Sequence, residues 1–127
     1  MHKILVVDDD ERMLRLFQDI LAVEGFEVLA ANNGNDALRI AAESSPDLIV
    51  LDVMMPDKDG GEVAGDLAEN KKTKDIPVIF LTSLATEKDA GRDGEMVAGR
   101  LYLSKSINRK DFIKKVREVL NNHNKLS

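Results

Sequence analysis

Short apolar runs in this chain end in residues that can do chemistry. Ile4-Leu5-Val6-Val7 runs into Asp8, Asp9 and Asp10, and Leu48-Ile49-Val50-Leu51 runs into Asp52. Val78-Ile79-Phe80-Leu81 leads to Thr82 and Ser83, and Leu101-Tyr102-Leu103 leads to Ser104 and Lys105. Taken singly these are ordinary: an Asp or Thr after a strand commonly caps the next helix, and a lone Lys is commonly solvated. Together they form a chemical set. Carboxylates about 5 Å apart at an effective dielectric near 20 repel by about 3 kcal/mol per pair. A fold accepts that when a cation offsets it, and hard oxygen donors in an open cleft suit Mg²⁺ or Mn²⁺. A lysine and a threonine hydroxyl opposite such a metal complete a site for a phosphoryl group.

The intervening segments must position those strand ends. Met13, Leu14, Phe17, Ile20 and Leu21 recur at helical spacing, with Gly25 placed as a C-terminal cap. Glu27 to Ala31 reads as a second strand. Asn33-Gly34-Asn35-Asp36 is turn and cap chemistry leading into an alanine-rich helix through Ala42, stopped by Ser44-Ser45-Pro46. A Pro56/Gly60/Gly61 loop follows the third strand, then a helix with Val63, Ala64, Leu67 and Ala68 on one face, and Pro77 opens the fourth strand. Residues 84–98 are expected to be helical, although Gly91 and Gly94 each weaken that helix by about 1 kcal/mol relative to alanine. Asn108 caps a last helix carrying Phe112, Ile113, Val116, Val119 and Leu120.

Five βα units in so short a chain predict an α/β domain with a single doubly wound, five-stranded parallel sheet. In the flavodoxin-like strand order 2-1-3-4-5, with helices on both faces, the first and third strands end side by side where open sheets take ligands. The domain is expected over residues 1–121, followed by a polar, frayed tail over 122–127.

Composition limits the function. A chain of 127 residues with 43% hydrophobic and 32% charged residues is expected to form one domain with a core, without room for a second. The formal net charge of −5 argues against bulk attraction to nucleic acid or to an anionic membrane. With no cysteine there is no disulfide, thiol nucleophile or zinc–thiolate site. No apolar run approaches the roughly 18 residues of a membrane span, and MHKILVVDDD reaches acid too early for a signal peptide, so the cytoplasm is the expected compartment. Residues 1–103 carry 11 basic and 21 acidic side chains, whereas residues 104–127 carry 7 and 2. His2 and His123 lie near the ends and are assigned no role.

The chain resembles the receiver domains of two-component response regulators over about residues 3–121. The resemblance rests on Lys3-Ile-Leu-Val-Val-Asp-Asp-Asp10, Leu51-Asp-Val-Met-Met-Pro-Asp-Lys-Asp-Gly60, Leu81-Thr-Ser83 and Tyr102-Leu-Ser-Lys105, of which the second is highly specific. It implies that Asp52 is the phosphoacceptor, taking its phosphoryl group from a histidine-kinase phosphohistidine or a phosphotransfer protein. Asp8 and Asp9 match the acidic pair that binds Mg²⁺ (or Mn²⁺), with Asp52 and the Met54 backbone carbonyl as further ligands. Lys105 would pair with the phosphoryl oxygens. Thr82 would swing in to hydrogen-bond the phosphoryl group and Tyr102 would follow it, remodelling the face made by the helix over 84–98, the strand over 101–103 and the last helix. The domain would signal rather than turn over a substrate, apart from catalysing its own phosphotransfer and slow dephosphorylation. It would act as a monomer or a phosphorylation-dependent homodimer upon an output protein or an output domain in a longer chain, without itself binding nucleic acid or membrane.

The chain departs from the family pattern in two places. Ser106 stands where a proline usually follows the lysine, so a trans Lys105–Ser106 bond is expected, and Gly99-Arg-Leu-Tyr102 is one residue shorter than the common pattern. Tyr102 reads equally as a half-buried strand aromatic, Asp10 and Glu11 as first-turn helix acids, and Met54 and Met55 as packing residues. Lys110, Lys114, Lys115 and Arg117 read as the solvated face of the last helix. Three rival functions compete with this reading. A degenerate receiver would bind partners without being phosphorylated, which the full set of five site residues argues against. A phosphatase of the haloacid-dehalogenase type would use Asp8 as nucleophile and Asp10 as acid–base. It also wants a hydroxyl at the end of the second strand, where Ala30-Ala31-Asn32 stands, and a cap domain for which there is no room. A flavin site wants hydroxyls after the first strand, where this chain has acids.

Overall fold

Strand ends drawn level by the sheet register are what this fold supplies to the site. The computed structural model describes residues 1–83, 95–97 and 100–126. Along the chain the elements are β1 (Lys3–Val7), α1 (Glu11–Val23), β2 (Glu27–Ala31), α2 (Gly34–Ser44), β3 (Leu48–Asp52), α3 (Gly60–Glu69), β4 (Val78–Thr82), β5 (Glu95–Val97), β6 (Arg100–Ser104) and α4 (Arg109–Leu126).

Five of the strands are parallel and stand in the expected 2-1-3-4-5 sequence, which in the present labels reads β2-β1-β3-β4-β6. Val7 pairs with Leu51, Asp52 with Leu81, and Thr82 with Ser104, so the acids, the threonine and the lysine turn all emerge at one edge. Alternation along each strand feeds two cores. Ile4, Val6, Leu48, Val50, Ile79, Leu81 and Leu103 pack with Phe17 and Leu21 of α1 and Phe112 and Val116 of α4. The Phe17 and Phe112 rings lie 4.9 Å apart and tilted by 60°, joining the two helices on that face. Leu5, Val7, Ile49, Leu51 and Phe80 face the other way, against Ala37 and Ala41 of α2 and Val63 and Leu67 of α3. β1 and β3 are almost wholly buried because they are covered on both sides.

Helix ends follow the local chemistry. Asp10, Asn33 and Asp59 cap α1, α2 and α3 with their side-chain oxygens, and the Asp111 N–H donates to Asn108 Oδ1 at 2.8 Å ahead of α4. Gly25, at φ 91°, lets α1 close in a Schellman turn, with the Phe26 N–H donating to the Leu21 carbonyl at 3.2 Å and the Gly25 N–H to that of Ala22 at 3.0 Å.

Three boundaries differ from the sequence reading. α2 runs to Ser44 and ends on Ser45 in the left-handed region at φ 47°. α4 continues through Leu126, helical where a frayed tail was expected over 122–127, since no Gly or Pro interrupts those residues. Of the helix expected over 84–98, residues 84–94 and 98 lie outside the described residues, and Glu95–Val97 form β5 instead. β5 pairs antiparallel with β6, Glu95 opposite Tyr102 and Val97 opposite Arg100, adding a sixth strand at the sheet edge. At Glu95–Val97 this pairing takes the place of the helix expected there, in a stretch whose helix tendency Gly94 weakens.

Candidate functional site at the strand ends

Asp8 leaves β1 and Asp52 ends β3; because the two strands are neighbours, both carboxylates enter one pocket and are 1% and 3% exposed. Asp9 is exposed on the following turn. One carboxylate oxygen from each of Asp8, Asp9 and Asp52 falls within 4.8 Å of the others. Lys105 closes the opposite side, its Nζ 3.0 Å from Asp8 Oδ2 and 3.1 Å from Asp52 Oδ1. Two backbone N–H groups complete the immediate network: Asp10 N–H donates to Asp8 Oδ1 at 2.9 Å, and Met54 N–H to Asp52 Oδ1 at 3.3 Å.

The electrostatics follow from burial. Desolvation pushes the Asp52 carboxyl up to about 6; the Lys105 hydrogen bond opposes this and the Asp8 charge adds to it. For Lys105, burial pulls down, but hydrogen bonds and charge attraction to Asp8 and Asp52 outweigh it and hold the ammonium above its ordinary value. The ammonium stays charged. Asp8 Oδ2 is buried against the Lys105 ammonium at 3.0 Å, and beyond that ion pair it has no other partner among the described residues. Three carboxylates gathered around the Lys105 ammonium keep an excess of negative charge and of hard oxygen donors that suits a divalent cation, and Asp8, Asp9 and Asp52 can hold one.

The remaining expected residues are placed as follows. Thr82 is buried at the end of β4, level with Ser104, and its carbonyl accepts the Lys105 N–H at 3.0 Å. Tyr102 is half-buried and stacked on Phe80, rings 4.7 Å apart and 14° from parallel, as the strand-aromatic reading has it. Met54 is 61% exposed and Met55 8%, so only Met55 is a packing residue. Asp10 is the α1 cap, accepting the Arg12 N–H, and stands outside the acid cluster. The Lys105–Ser106 bond is trans. Beside the acids lies an open cavity of about 630 Å³ bordered by Asp9, Met54, Pro56, Asp59 and Tyr102.

Two residues of the loop after Asp52 have roles that local pattern does not reveal. Asp57 reads as a turn residue after Pro56, yet its carboxylate accepts the N–H groups of Gly34, at 3.0 and 3.1 Å, and of Asn35, at 3.3 Å. It caps α2 from across the fold. The Gly34 hydrogen bond is the largest influence holding the Asp57 carboxyl below its ordinary range. A depressed carboxyl stabilises the fold above its unfolded pKa and loses that effect as pH falls through the folded value. Asp57→Ala is therefore expected to lower Tm at neutral pH, with the gap to wild type closing below about pH 4, as thermal melts across pH would show.

Gly60 starts α3 against the backbone of the site itself. Its N–H donates to the Val53 carbonyl at 2.7 Å, and a Cβ there would lie 2.8 Å from the Asp52 carbonyl oxygen and 3.0 Å from Val53 Cα. Neither neighbour can yield without moving Asp52. Gly60→Ala is expected to cost about 2 kcal/mol, or roughly 5–10 °C in Tm for a domain of this size, measured by calorimetry against Gly61→Ala, whose Cβ would meet only the Asp59 side chain at 3.3 Å.

Comparison with known proteins places this geometry. A family profile described as "Response regulator receiver domain" matches residues 4–117. The chain is 40% identical over 120 residues to the transcriptional regulatory protein CpxR of Klebsiella pneumoniae, covering 94% of this chain and 50% of CpxR. It is 34% identical over 119 residues to the polar-differentiation response regulator DivK of Brucella anthropi, covering 92% of this chain and 94% of DivK. Thus it spans about half the length of CpxR and nearly all of DivK. Among solved structures, a CheY-like response regulator receiver domain protein from Methanospirillum hungatei superposes with a TM-score of 0.85 at 26% identity, covering 100% of this chain and 99% of that one. The receiver domain of a signal transduction histidine kinase from Syntrophus aciditrophicus gives 0.79 at 30% identity, covering 96% and 92%.

Proposed function

The chain belongs to the response regulator receiver domain family of two-component signalling, and from that premise we propose that Asp52 accepts a phosphoryl group from the phosphohistidine of a histidine kinase or phosphotransfer protein. The observation that carries the reading is the Lys105 ammonium bridging two buried carboxylates, Asp8 and Asp52, with Asp9 beside them.

In the transfer a carboxylate oxygen of Asp52 attacks phosphorus, the phosphorus–nitrogen bond to the donor histidine breaks, and its electron pair stays on the imidazole nitrogen, which takes a proton. The product is an aspartyl acyl phosphate. A carboxylate nucleophile needs no base once ionised, as it is above about pH 6 here. Lys105, already 3.1 Å from Asp52 Oδ1, is positioned to follow the new charge onto the phosphoryl oxygens. Thr82 donates its hydroxyl to the phosphoryl group from the end of the adjacent strand. Asp8, Asp9, Asp52 and the Met54 carbonyl would hold Mg²⁺ or Mn²⁺, which when bound would offset the repulsion between the carboxylates and the incoming phosphoryl group.

Output leaves through β6, α4 and the β5 edge, with Tyr102 and its contact on Phe80 linking the site to that surface. No helix among the described residues is long and apolar enough to cross a membrane, and the proposed compartment is the cytoplasm. The partner is a kinase on the donor side and an output protein or domain on the other. Incubation with acetyl phosphate and Mg²⁺ tests the reading. A hydroxylamine-labile phosphoryl group mapped to the Asp52 peptide is expected, and no gain from several small donors would overturn it.

A further inference from the structure

The turn that carries Lys105 is fastened by hydroxyls on both sides of it. Ser104 and Ser106 flank the lysine; their Oγ atoms are 2.7 Å apart, and the Ser106 N–H donates to Ser104 Oγ at 3.1 Å. The Ile107 N–H closes the same turn onto the Ser104 carbonyl at 3.1 Å, and the Lys105 N–H ties it to the Thr82 carbonyl at 3.0 Å. Ser104 is buried, 4% exposed, so its hydroxyl is satisfied from the Ser106 side, whereas Ser106 itself is exposed. The chain thus laces a trans Lys105–Ser106 bond into a fixed turn with side-chain hydroxyls, at the position where the resemblance leads one to expect a proline ring.

We propose that Ser106, paired with Ser104, is a positioning residue for phosphoryl transfer: the hydroxyl bridge fixes the base from which the Lys105 ammonium reaches Asp52. The proposal rests on the phosphoacceptor reading of Asp52. A lysine side chain has four rotatable carbons, so its Nζ is placed only as well as its Cα is held. A displacement of about 1 Å at a transferring group costs on the order of 100-fold in rate. Loss of one fastening, with the two salt bridges retained, is expected to cost less.

The test has two arms. In the first, Lys105 is labelled with N-hydroxysuccinimide acetate and read by peptide mass spectrometry, which requires no phosphorylation. Ser106→Ala is expected to raise Lys105 labelling about fivefold while the exposed lysines of α4 label as before, and Ser106→Thr to restore protection. In the second, phosphorylation by acetyl phosphate is expected to slow about tenfold in Ser106→Ala and to recover in Ser106→Thr. The loss is expected to vanish when Ser106→Ala is made on a Lys105→Met background, since a residue that acts only through Lys105 has nothing left to position. Unchanged Lys105 labelling in Ser106→Ala, or an equal fall in rate with and without Lys105, overturns the proposal. A wild type that takes no phosphoryl group overturns the functional reading instead, and the labelling arm still decides whether the hydroxyl bridge places the lysine.

Discussion

Asp52→Asn is expected to take no phosphoryl group from acetyl phosphate under conditions that load the wild type fully, and to melt at a higher temperature in metal-free buffer at neutral pH. The first effect is chemical. An amide oxygen is a poor nucleophile and cannot form the acyl phosphate, so the loss is complete rather than partial. The second follows from the burial of the carboxyl. Asp52 is 3% exposed, and desolvation with the Asp8 charge raises its pKa to about 6. A carboxyl whose folded pKa lies above its unfolded value destabilises the fold once ionised. That penalty is absent below about pH 4, grows through the window from about pH 4 to about 6, and is complete above it. Asparagine keeps the shape without the charge and lifts the penalty, on the order of 1–3 kcal/mol at pH 7. Thermal melts of both proteins in chelator are the measurement. The Tm gap is expected to open as pH rises from about 4 to about 6; a variant that melts below wild type throughout, or that is still phosphorylated, contradicts the reading of Asp52.

Mg²⁺ is expected to narrow that gap. In the wild type a divalent cation meets three carboxylate oxygens within 4.8 Å of one another, one each from Asp8, Asp9 and Asp52. Binding to the folded state alone at about ten times Kd stabilises by about 1.4 kcal/mol, or roughly 4–6 °C for a chain of this length. Asp8→Asn removes a buried carboxylate from the centre of the acid cluster and is expected to abolish most of the shift. Asp52→Asn is expected to remove a large part of it, leaving Asp8 and Asp9. Thermal melts with about 10 mM MgCl₂ against EDTA decide the matter, with Asp10→Asn as a control because Asp10 is engaged as the α1 cap. Equal shifts in wild type, Asp8→Asn and Asp52→Asn would remove the metal-site argument. Because Lys105 already neutralises part of the pocket, the metal-free fold is expected to remain folded rather than await the ion.

The strand ends were legible because they depend on local pattern. An apolar run of four residues bounded by acid or hydroxyl groups has few other ways to be satisfied than as a buried strand ending in solvent. Three such runs, together with the shorter Leu101–Leu103 and the mixed strand Glu27–Ala31, alternate with helical periodicity and leave little freedom in topology. Asp8, Asp52, Thr82 and Lys105 could be nominated on that basis, as could the cap Asn108, whereas Asp10, which reads as a first-turn acid, is the cap of α1. The helix over 84–98 was the place where local pattern was weakest, and its last residues are the ones that pair as β5. A tail of polar residues gave no signal to distinguish fraying from a further helical turn, and α4 takes the turn.

What the sequence alone determined was therefore the list of chemical groups and the edge of the sheet on which they stand. Side-chain periodicity and strand polarity settle both without reference to any distant residue. Only the tertiary structure decided which of those groups meet. The Lys105 bridge to Asp8 and Asp52, the Asp57 cap on α2, the approach of Gly60 to the Asp52 backbone and the packing of Tyr102 on Phe80 all join residues brought together by register and helix packing. A hydrogen bond or a pKa depends on angstroms and on burial, and those quantities exist only once the elements have closed on one another.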